Sequence, residues 1–297
     1  MLPLPRKRPT IPAHKQARVQ AGRTGGADHR SEFLPHLGKE LNRLYRRINR
    51  PEFILQDPVQ FPRRYANPAD QEIAAFLASA IAWGRRDLIL RSAERLFALM
   101  SPSPSAFVMT GDYRPLKDRC IHRTFFEDDL AYFCRGFRAC YERWGSLEAL
   151  FASAGGVWEG IARFRETMAQ GNGGRYTKHI ANPGGAETGG AGSACKRLNL
   201  ALRWLVRQEG PVDLGLWRRV SPASLFIPLD VHAGRAARRL GLLERKSNDR
   251  KAVVLLTERL REFCPDDPVK YDFALFGLGL SGDFSRFEGR GIRDGRI

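Results

Sequence analysis

Apolar residues recur with helical spacing over most of the chain. Leu37, Leu41, Leu44 and Ile48 repeat at intervals of four, three and four residues, as in an amphipathic helix. The run EDDLAYFCRGFRACYERW places its apolar residues on one helical face, and residues 156–170 suit a further helix. No run alternates apolar and polar residues as a half-buried strand would. The pattern predicts an all-α chain with about a dozen helices.

Several of these helices carry boundary signals. Asn67 is a preferred N-cap and Pro68 suits the first helical position, so a helix is predicted from there to about Gly84. The small residues of this stretch indicate close packing against another helix. In the C-terminal half, helices are predicted for SACKRLNLALRWLVRQ, VDLGLWRRV, the part of FIPLDVHAGRAARRLGLL that follows Asp230, NDRKAVVLLTERLREF and DPVKYDFALFGLGLSG.

Two segments depart from the helical pattern. Residues 1–30 are rich in Arg, Lys and Pro and poor in large apolar side chains, which predicts a disordered basic tail. Residues 171–192 contain 8 glycines and predict a loop or linker. We expect residues 31–297 to form one all-α domain that contains this loop.

Charge narrows the classes of partner. Lys and Arg number 49 against 32 Asp and Glu, so the net charge is +17 and the pI is about 10.3. Such a balance favours DNA, RNA or an anionic membrane surface as partner, although genome-wide composition bias produces basic chains as well. No apolar run is long enough for a transmembrane helix, and no secretory signal begins the chain.

Cysteine and histidine spacing offers no sign of a metal site. The five cysteines show no CxxC pair, and the six histidines are scattered. We therefore expect neither a metal nor another cofactor, and we interpret the cysteines as the reduced thiols of a cytosolic protein.

Two helix starts hold candidate catalytic side chains. Lys196 falls in the first turn of its predicted helix, beside Arg197 and near the positive end of the helix dipole. Only a neutral amine attacks carbon, so this lysine is either a candidate nucleophile or an ordinary lysine on a solvated face. Asp230 precedes another helix, where Asp is a preferred N-cap, and a capping role does not exclude a catalytic one.

Arginines follow both candidates at helical spacing. Lys196, Arg203 and Arg207 are separated by seven and four residues and therefore share one helical face. A second shared face begins at Arg235 and continues with Arg238 and Arg239. Each face is a candidate surface for DNA phosphates.

Four blocks of the sequence resemble the helix–hairpin–helix DNA glycosylases, in their endonuclease-III and 8-oxoguanine branches. IPLDVHAGRAARRLGLL is similar to the aspartate segment of that family, with Asp230 and His232 in register. CKRLNLALRW is similar to its lysine helix, with Lys196 in register. NPADQEIAAFLASAIAWGRRDLILRSAERLF resembles the early helix pair, and VKYDFALFGLGLSG resembles the helix that closes the fold. In their detailed residue pattern, these blocks resemble a bacterial family of unassigned function within the superfamily.

The sequence also departs from the pattern of those enzymes. Lys196 and Asp230 are 34 residues apart, longer than is common there but similar to the archaeal 8-oxoguanine branch. The compact LPGVGxKTA hairpin is missing, and NPGGAETGGAGSACKR supplies only glycines in its place. Ile81 stands where endonuclease-III enzymes carry a glutamine, and their four-cysteine cluster is missing.

The resemblance implies a helix–hairpin–helix glycosylase-like fold with two helical lobes flanking a cleft. It implies a base-excision glycosylase with AP-lyase activity, whose substrate is a damaged base, with oxidised bases as candidates. The damaged base flips out of duplex DNA, Lys196 forms a Schiff base with the sugar, and Asp230 assists. The stacking candidates for that base are Trp83, Trp204 and Trp217. The implied DNA-contacting residues are Arg197, Arg203, Arg207, His232, Arg235, Arg238 and Arg239.

Two other classes stay open at this point. One is a non-catalytic DNA- or RNA-binding protein of the same fold, and the other is a metabolic or scaffolding helical protein. For the glycosylase we expect a monomer in the cytoplasm, associated with the nucleoid and not with a membrane.

The charge generates a first prediction. Affinity for duplex DNA should fall steeply as salt is raised, because each bound phosphate releases counterions. Deleting the basic residues 1–30 should weaken this binding without unfolding the domain. Titrations at several ionic strengths measure the dependence, and an affinity that stays constant between low and moderate salt would contradict it.

Overall fold

The computed structural model of the protein describes residues 26–114, 116–184 and 192–287. These residues form twelve α-helices and one short β-hairpin, so the all-α prediction is confirmed. The helices are α1 Gly26–Ile48, α2 Pro51–Ile54, α3 Pro68–Ala80, α4 Arg86–Leu99, α5 Pro104–Thr110, α6 Glu127–Trp144, α7 Leu147–Ala152, α8 Val157–Gln170, α9 Lys196–Val206, α10 Val231–Arg239, α11 Arg250–Arg261 and α12 Asp272–Ser281. The antiparallel hairpin pairs β1, Cys120–His122, with β2, Phe125–Phe126. Strands this short carry no readable alternation, which is why the sequence did not reveal them.

Local signals place several helix boundaries correctly. The Asn67 side chain accepts a hydrogen bond from Ala69 N at 2.9 Å, and Pro68 is the first residue of α3. The helix ends at Ala80, a few residues before Gly84, whose positive φ of 97° turns the chain towards α4. Helices α6 and α8 match their predicted spans.

The N-terminal boundary differs from its prediction. Helix α1 begins at Gly26, so residues 26–30 are helical and belong with the domain. The rest of the predicted tail, residues 1–25, lies outside the described residues. A deletion that tests the basic tail should therefore end at residue 25.

The prediction of a helix over VDLGLWRRV is wrong. The backbone N–H groups of Leu214 and Gly215 donate to Trp204 O, and that of Trp217 donates to Leu205 O at 2.8 Å. The segment thus satisfies carbonyls at the C-terminal end of α9, which would otherwise lack partners. This long-range role outweighs the local helical preference.

Helix α3 lies at the centre of the core. Every residue from Glu72 to Ala80 is buried, and α3 packs against α9. The Glu72 carboxylate accepts hydrogen bonds from the Tyr141 hydroxyl, the Trp217 indole and the first N–H groups of α7. Small side chains therefore allow close helix contact, and one buried acid joins four parts of the chain.

A buried ionic cluster joins α9 to the C-terminal part of the fold. Arg203 pairs with Asp213 and Asp272, and Arg207 pairs with Asp213 and Asp267. Burial alone would lower the pKa of Arg203, but the Asp213 and Asp272 carboxylates raise it above its ordinary value. The two arginines keep their charge inside the protein because three aspartates surround them.

This cluster corrects a prediction. Arg203 and Arg207 do share a face with Lys196, but their side chains are 4% and 0% exposed. They cannot meet DNA phosphates without breaking buried ion pairs, so the prediction that they contact DNA is wrong.

The apolar stretches of the described helices are short. Between residues 26 and 287, as far as the structure describes them, no helix is both long and apolar enough to cross a membrane.

The cluster generates a prediction about stability. Arg207→Met would leave Asp267 buried without its cation and Asp213 with Arg203 alone, and should lower the free energy of unfolding by about 3–5 kcal/mol. Arg218→Met, at an exposed position, is the matched control and should change it by less than ~0.5 kcal/mol. Urea denaturation at neutral pH measures both, and equal losses in the two variants would contradict the prediction.

Candidate active site

A cleft of about 720 Å³ lies where α9, α10 and α12 approach the chain between α3 and α4. Its polar lining includes Asp57, Lys196, Arg197, Arg203, Asp230 and Asp272. Phe53, Trp83 and Phe276 supply aromatic surface. The volume falls within the range typical of small-molecule sites.

Lys196 is the first residue of α9 and lies inside this cleft. The preceding residue, Cys195, is buried and left-handed at φ 46°, and it turns the chain sharply into the helix. The Lys196 ammonium lies 3.5 Å from Ala82 O and 3.9 Å from Asp230 Oδ2. Its side chain is 32% exposed, so the amine is sheltered and still reachable.

Asp230 uses its two carboxylate oxygens differently. Oδ1 accepts a hydrogen bond from Ala233 N at 2.8 Å, which caps α10 as predicted. Oδ2 is the oxygen that faces Lys196. The helix start thus holds the carboxylate while its second oxygen stays directed at the amine. The geometry therefore allows Asp230 to be a helix cap and a catalytic carboxylate at the same time.

The backbone at Asp230 has a further support. Asn248 donates from Nδ2 to Asp230 O at 3.0 Å, and its Oδ1 accepts from Arg238 Nη2 at 2.6 Å. Arg238 also donates from Nε to Arg245 O at 2.8 Å. These contacts orient the Asn248 amide, which in turn holds the chain at the start of α10.

Close packing against α10 brings α12 to the cleft beside Asp230. Helices α10 and α12 pack together, and a Cβ at Gly279 would collide with the His232 carbonyl. The His232 ring is half-buried, with Nδ1 3.3 Å from Gly279 O, and stands edge-on to Phe276. His232 therefore lines the cleft beside Asp230 instead of lying on the outer surface.

A third carboxyl group, Asp272, lies in the cleft wall, where the sequence pattern did not predict one. Burial raises the pKa of Asp272 to about 6, against the opposing effect of Arg203. The Asp230 charge also raises this pKa, and the Lys196 charge lowers it. A lone acid at the start of the otherwise apolar run DFALFGLG was the signal that could have identified it.

Residues 57–281 match the family model described as protein of unknown function (DUF2400). The chain belongs to the DUF2400 family. The matched range covers well over half of the chain and includes Lys196, Asp230 and Asp272. No curated protein and no solved structure matched the chain.

The remaining predicted arginines of this DUF2400 chain fall into two groups. Arg235 and Arg239 are exposed on α10 and stay candidates for phosphate contacts, with Arg239 lying over the Phe284 ring. Arg238 is partly buried, and two of its nitrogens bond within the protein. Burial lowers the pKa of Arg238. Its observed role is to support the Asp230 segment.

The three tryptophans predicted to stack on a base differ in whether they reach the cleft. Trp204 and Trp217 are fully buried and belong to the core, so the suggestion that they stack on a base is wrong. Trp83 is half-buried and lines the cleft. Ile81 is fully buried and does not line the cleft, although its neighbours Ala82 and Trp83 do.

The glycine-rich segment ends firmly next to Lys196. Arg250 donates from its backbone N to Gly192 O at 2.8 Å, and its guanidinium contacts the carbonyls of Pro183 and Gly184. Residues 185–191, which include part of the predicted hairpin, lie outside the described residues. The described parts of residues 171–192 are turns and loop, as their glycine content predicted.

The split use of the Asp230 oxygens generates a prediction. Asp230→Asn keeps an oxygen for Ala233 N and should change the free energy of unfolding by less than ~1 kcal/mol, because Asn and Asp cap about equally well. Asp230→Ala removes the cap and should cost about 1 kcal/mol. Thermal or urea unfolding compares the two, and an equal cost for both would mean that the charge, not the cap, provides the stability.

Proposed function

We propose that this protein is a DNA base-excision glycosylase with AP-lyase activity, in which Lys196 is the nucleophile. The observation that carries the proposal is the 3.9 Å approach of Lys196 Nζ to Asp230 Oδ2 inside a cleft of about 720 Å³. An amine beside a fixed carboxylate that can accept its proton is one arrangement that activates a lysine for covalent catalysis. The resemblance of four sequence blocks to helix–hairpin–helix glycosylases supports the same reaction class.

Each of the two side chains has a defined task in this reaction. Asp230 accepts a proton from the Lys196 ammonium and stabilises the positive charge that develops on the sugar. The bond from C1′ to the base breaks, and the base leaves with the electron pair and gains a proton. The Lys196 amine forms the new bond to C1′, and opening of the sugar ring yields a Schiff base. Loss of a C2′ proton then expels the 3′ phosphate and cleaves the strand.

The shape of the cleft supports an extrahelical base as the substrate. A base inside a duplex cannot reach an enzyme nucleophile, so the nucleotide must leave the stack. Val231 and Leu280 line the cleft and are 64% and 54% exposed, which places apolar side chains at its rim. Exposed apolar side chains of this kind can insert between base steps and stabilise an opened duplex.

Charge outside the cleft supports binding of a polyanion. Arg235 and Arg239 are exposed on the helix that begins at Asp230, and the chain carries a net charge of +17. Phosphate contacts from such arginines position a duplex without reading its sequence. The placement beside α10 would bring the DNA backbone close to the mouth of the cleft.

Borohydride trapping tests the proposal. Wild-type protein incubated with duplexes that each carry one damaged base or an abasic site should form a covalent adduct after reduction. Lys196→Gln should abolish the adduct and strand cleavage and leave DNA affinity within a few-fold, because the amine alone forms the Schiff base. Asp230→Asn in the same assay should slow adduct formation by roughly 10²–10³-fold.

Lys251→Gln is the matched control. Lys251 also lies in the first turn of a helix, α11, but it is exposed and outside the cleft, so its loss should leave trapping unchanged. An adduct formed by the Lys196→Gln protein would show that another group is the nucleophile. If wild-type protein forms no adduct and releases no base from any lesion but binds DNA in a salt-dependent way, the chain is a binding protein and not a glycosylase.

A further inference from the structure

Arg197 is a cation in the cleft whose hydrogen-bonding capacity is largely unused. Its Nη1 donates to Ala80 O at 2.6 Å, and its guanidinium lies over the Trp83 ring, 5.0 Å from the centroid. No carboxylate of the described residues pairs with it, and burial lowers the pKa of Arg197. A guanidinium has five N–H donors, so several remain for whatever occupies the cleft.

The carboxylates of the cleft are already engaged elsewhere. Asp272 pairs with Arg203, and Asp230 caps α10 and faces Lys196. Asp57 accepts a hydrogen bond from Val59 N at 3.0 Å, and burial raises the pKa of Asp57. Arg197 therefore keeps N–H donors available for an acceptor from outside the protein.

The aromatic surfaces of the cleft also carry cations. Arg86 lies over Phe53 at 5.7 Å and over Phe276 at 5.4 Å, while Arg197 lies over Trp83. Aromatic faces attract cations, and a site that recognises a cationic ligand leaves those faces open. Here the protein's own guanidinium groups occupy them, so a positively charged base would meet two arginines instead of bare rings.

We propose that Arg197 is a specificity-determining residue that reads the acceptor edge of an extrahelical base. The cleft then selects neutral bases that present a carbonyl oxygen and a ring nitrogen side by side, and it rejects cationic alkylated bases. An arginine fork donates to two such acceptors at once, as it does to guanine O6 and N7. The proposal rests on the proposed function in that it assumes an extrahelical base, but it does not require the lysine chemistry.

Binding of four duplexes to the Lys196→Gln protein tests the proposal, because that protein cannot turn the base over. The central position carries hypoxanthine, adenine, the cation 1-methyladenine or a tetrahydrofuran abasic analogue. Each of the three bases is placed in a mismatch that makes unpairing easy. Hypoxanthine should bind best among the three bases and 1-methyladenine worst. Adding Arg197→Gln should reduce the preference for hypoxanthine over adenine by roughly tenfold.

Two further variants separate charge from geometry. Arg197→Lys keeps the charge but lacks the fork and should also lose most of the preference. Arg218→Gln removes an exposed arginine outside the cleft and should weaken all four duplexes alike, leaving the preference intact. An Arg197→Gln protein that keeps the full preference would overturn the proposal.

The abasic duplex distinguishes a base contact from a phosphate contact. If Arg197→Gln weakens the tetrahydrofuran duplex as much as the hypoxanthine duplex, the guanidinium binds the backbone and the proposal fails. The readout is also independent of trapping. If the preference depends on Arg197 but wild-type protein forms no borohydride adduct, the lyase chemistry alone is refuted. If wild-type protein forms the adduct but Arg197→Gln leaves the preference unchanged, the role of Arg197 alone is refuted.

Discussion

The burial of Arg203 and Arg207 is the constraint on which the geometry of the cleft depends. Two arginines on one face of α9 must both meet aspartates, since an unpaired buried charge is strongly destabilising. The observed rotation of α9 about its axis satisfies both. Lys196 lies seven residues before Arg203 and shares that face, so the same rotation directs it into the cleft.

The opposite wall of the cleft depends on a similar coupling. Asp272 is the first residue of α12 and pairs with Arg203, while α12 packs closely on α10, which begins after Asp230. The ionic cluster therefore reaches both members of the Lys196–Asp230 pair through helices. The 3.9 Å separation follows from the packing of α9, α10 and α12 together and not from any short segment of chain.

Local sequence signals predicted what local physics determines. The Asn67 and Asp230 caps, the place of Lys196 in the first turn of α9 and the spans of α6 and α8 all depend on residues within a turn or two of each boundary. The shared face of α9 was also predicted correctly. Whether that face met water or aspartates was decided by Asp213, Asp267 and Asp272, which no helical spacing relates to Arg203.

The misplaced elements have the same origin. Trp217 was expected in a helix, but its segment satisfies the end of α9 and donates to Glu72, a residue 145 positions away. Asp272 escaped notice because its importance arises only when α12 meets α9. The glycosylase resemblance anticipated Lys196 and Asp230 as a pair, which the structure brings together, whereas it offered no indication of Arg197 over Trp83.

Arg250 has a consequence for how chains of this kind can diverge. It holds both sides of the glycine-rich segment, at Gly184 and at Gly192, and Ser193 N donates to Asn182 O at 2.9 Å. Insertions or deletions between these two anchors would therefore not be transmitted to Lys196. Because the entropy of closing a loop grows only slowly with its length, such changes also cost little stability. Evolution can thus vary the number of residues between 184 and 192, and protein engineers can graft new sequence there, close to Lys196 in the chain without displacing it.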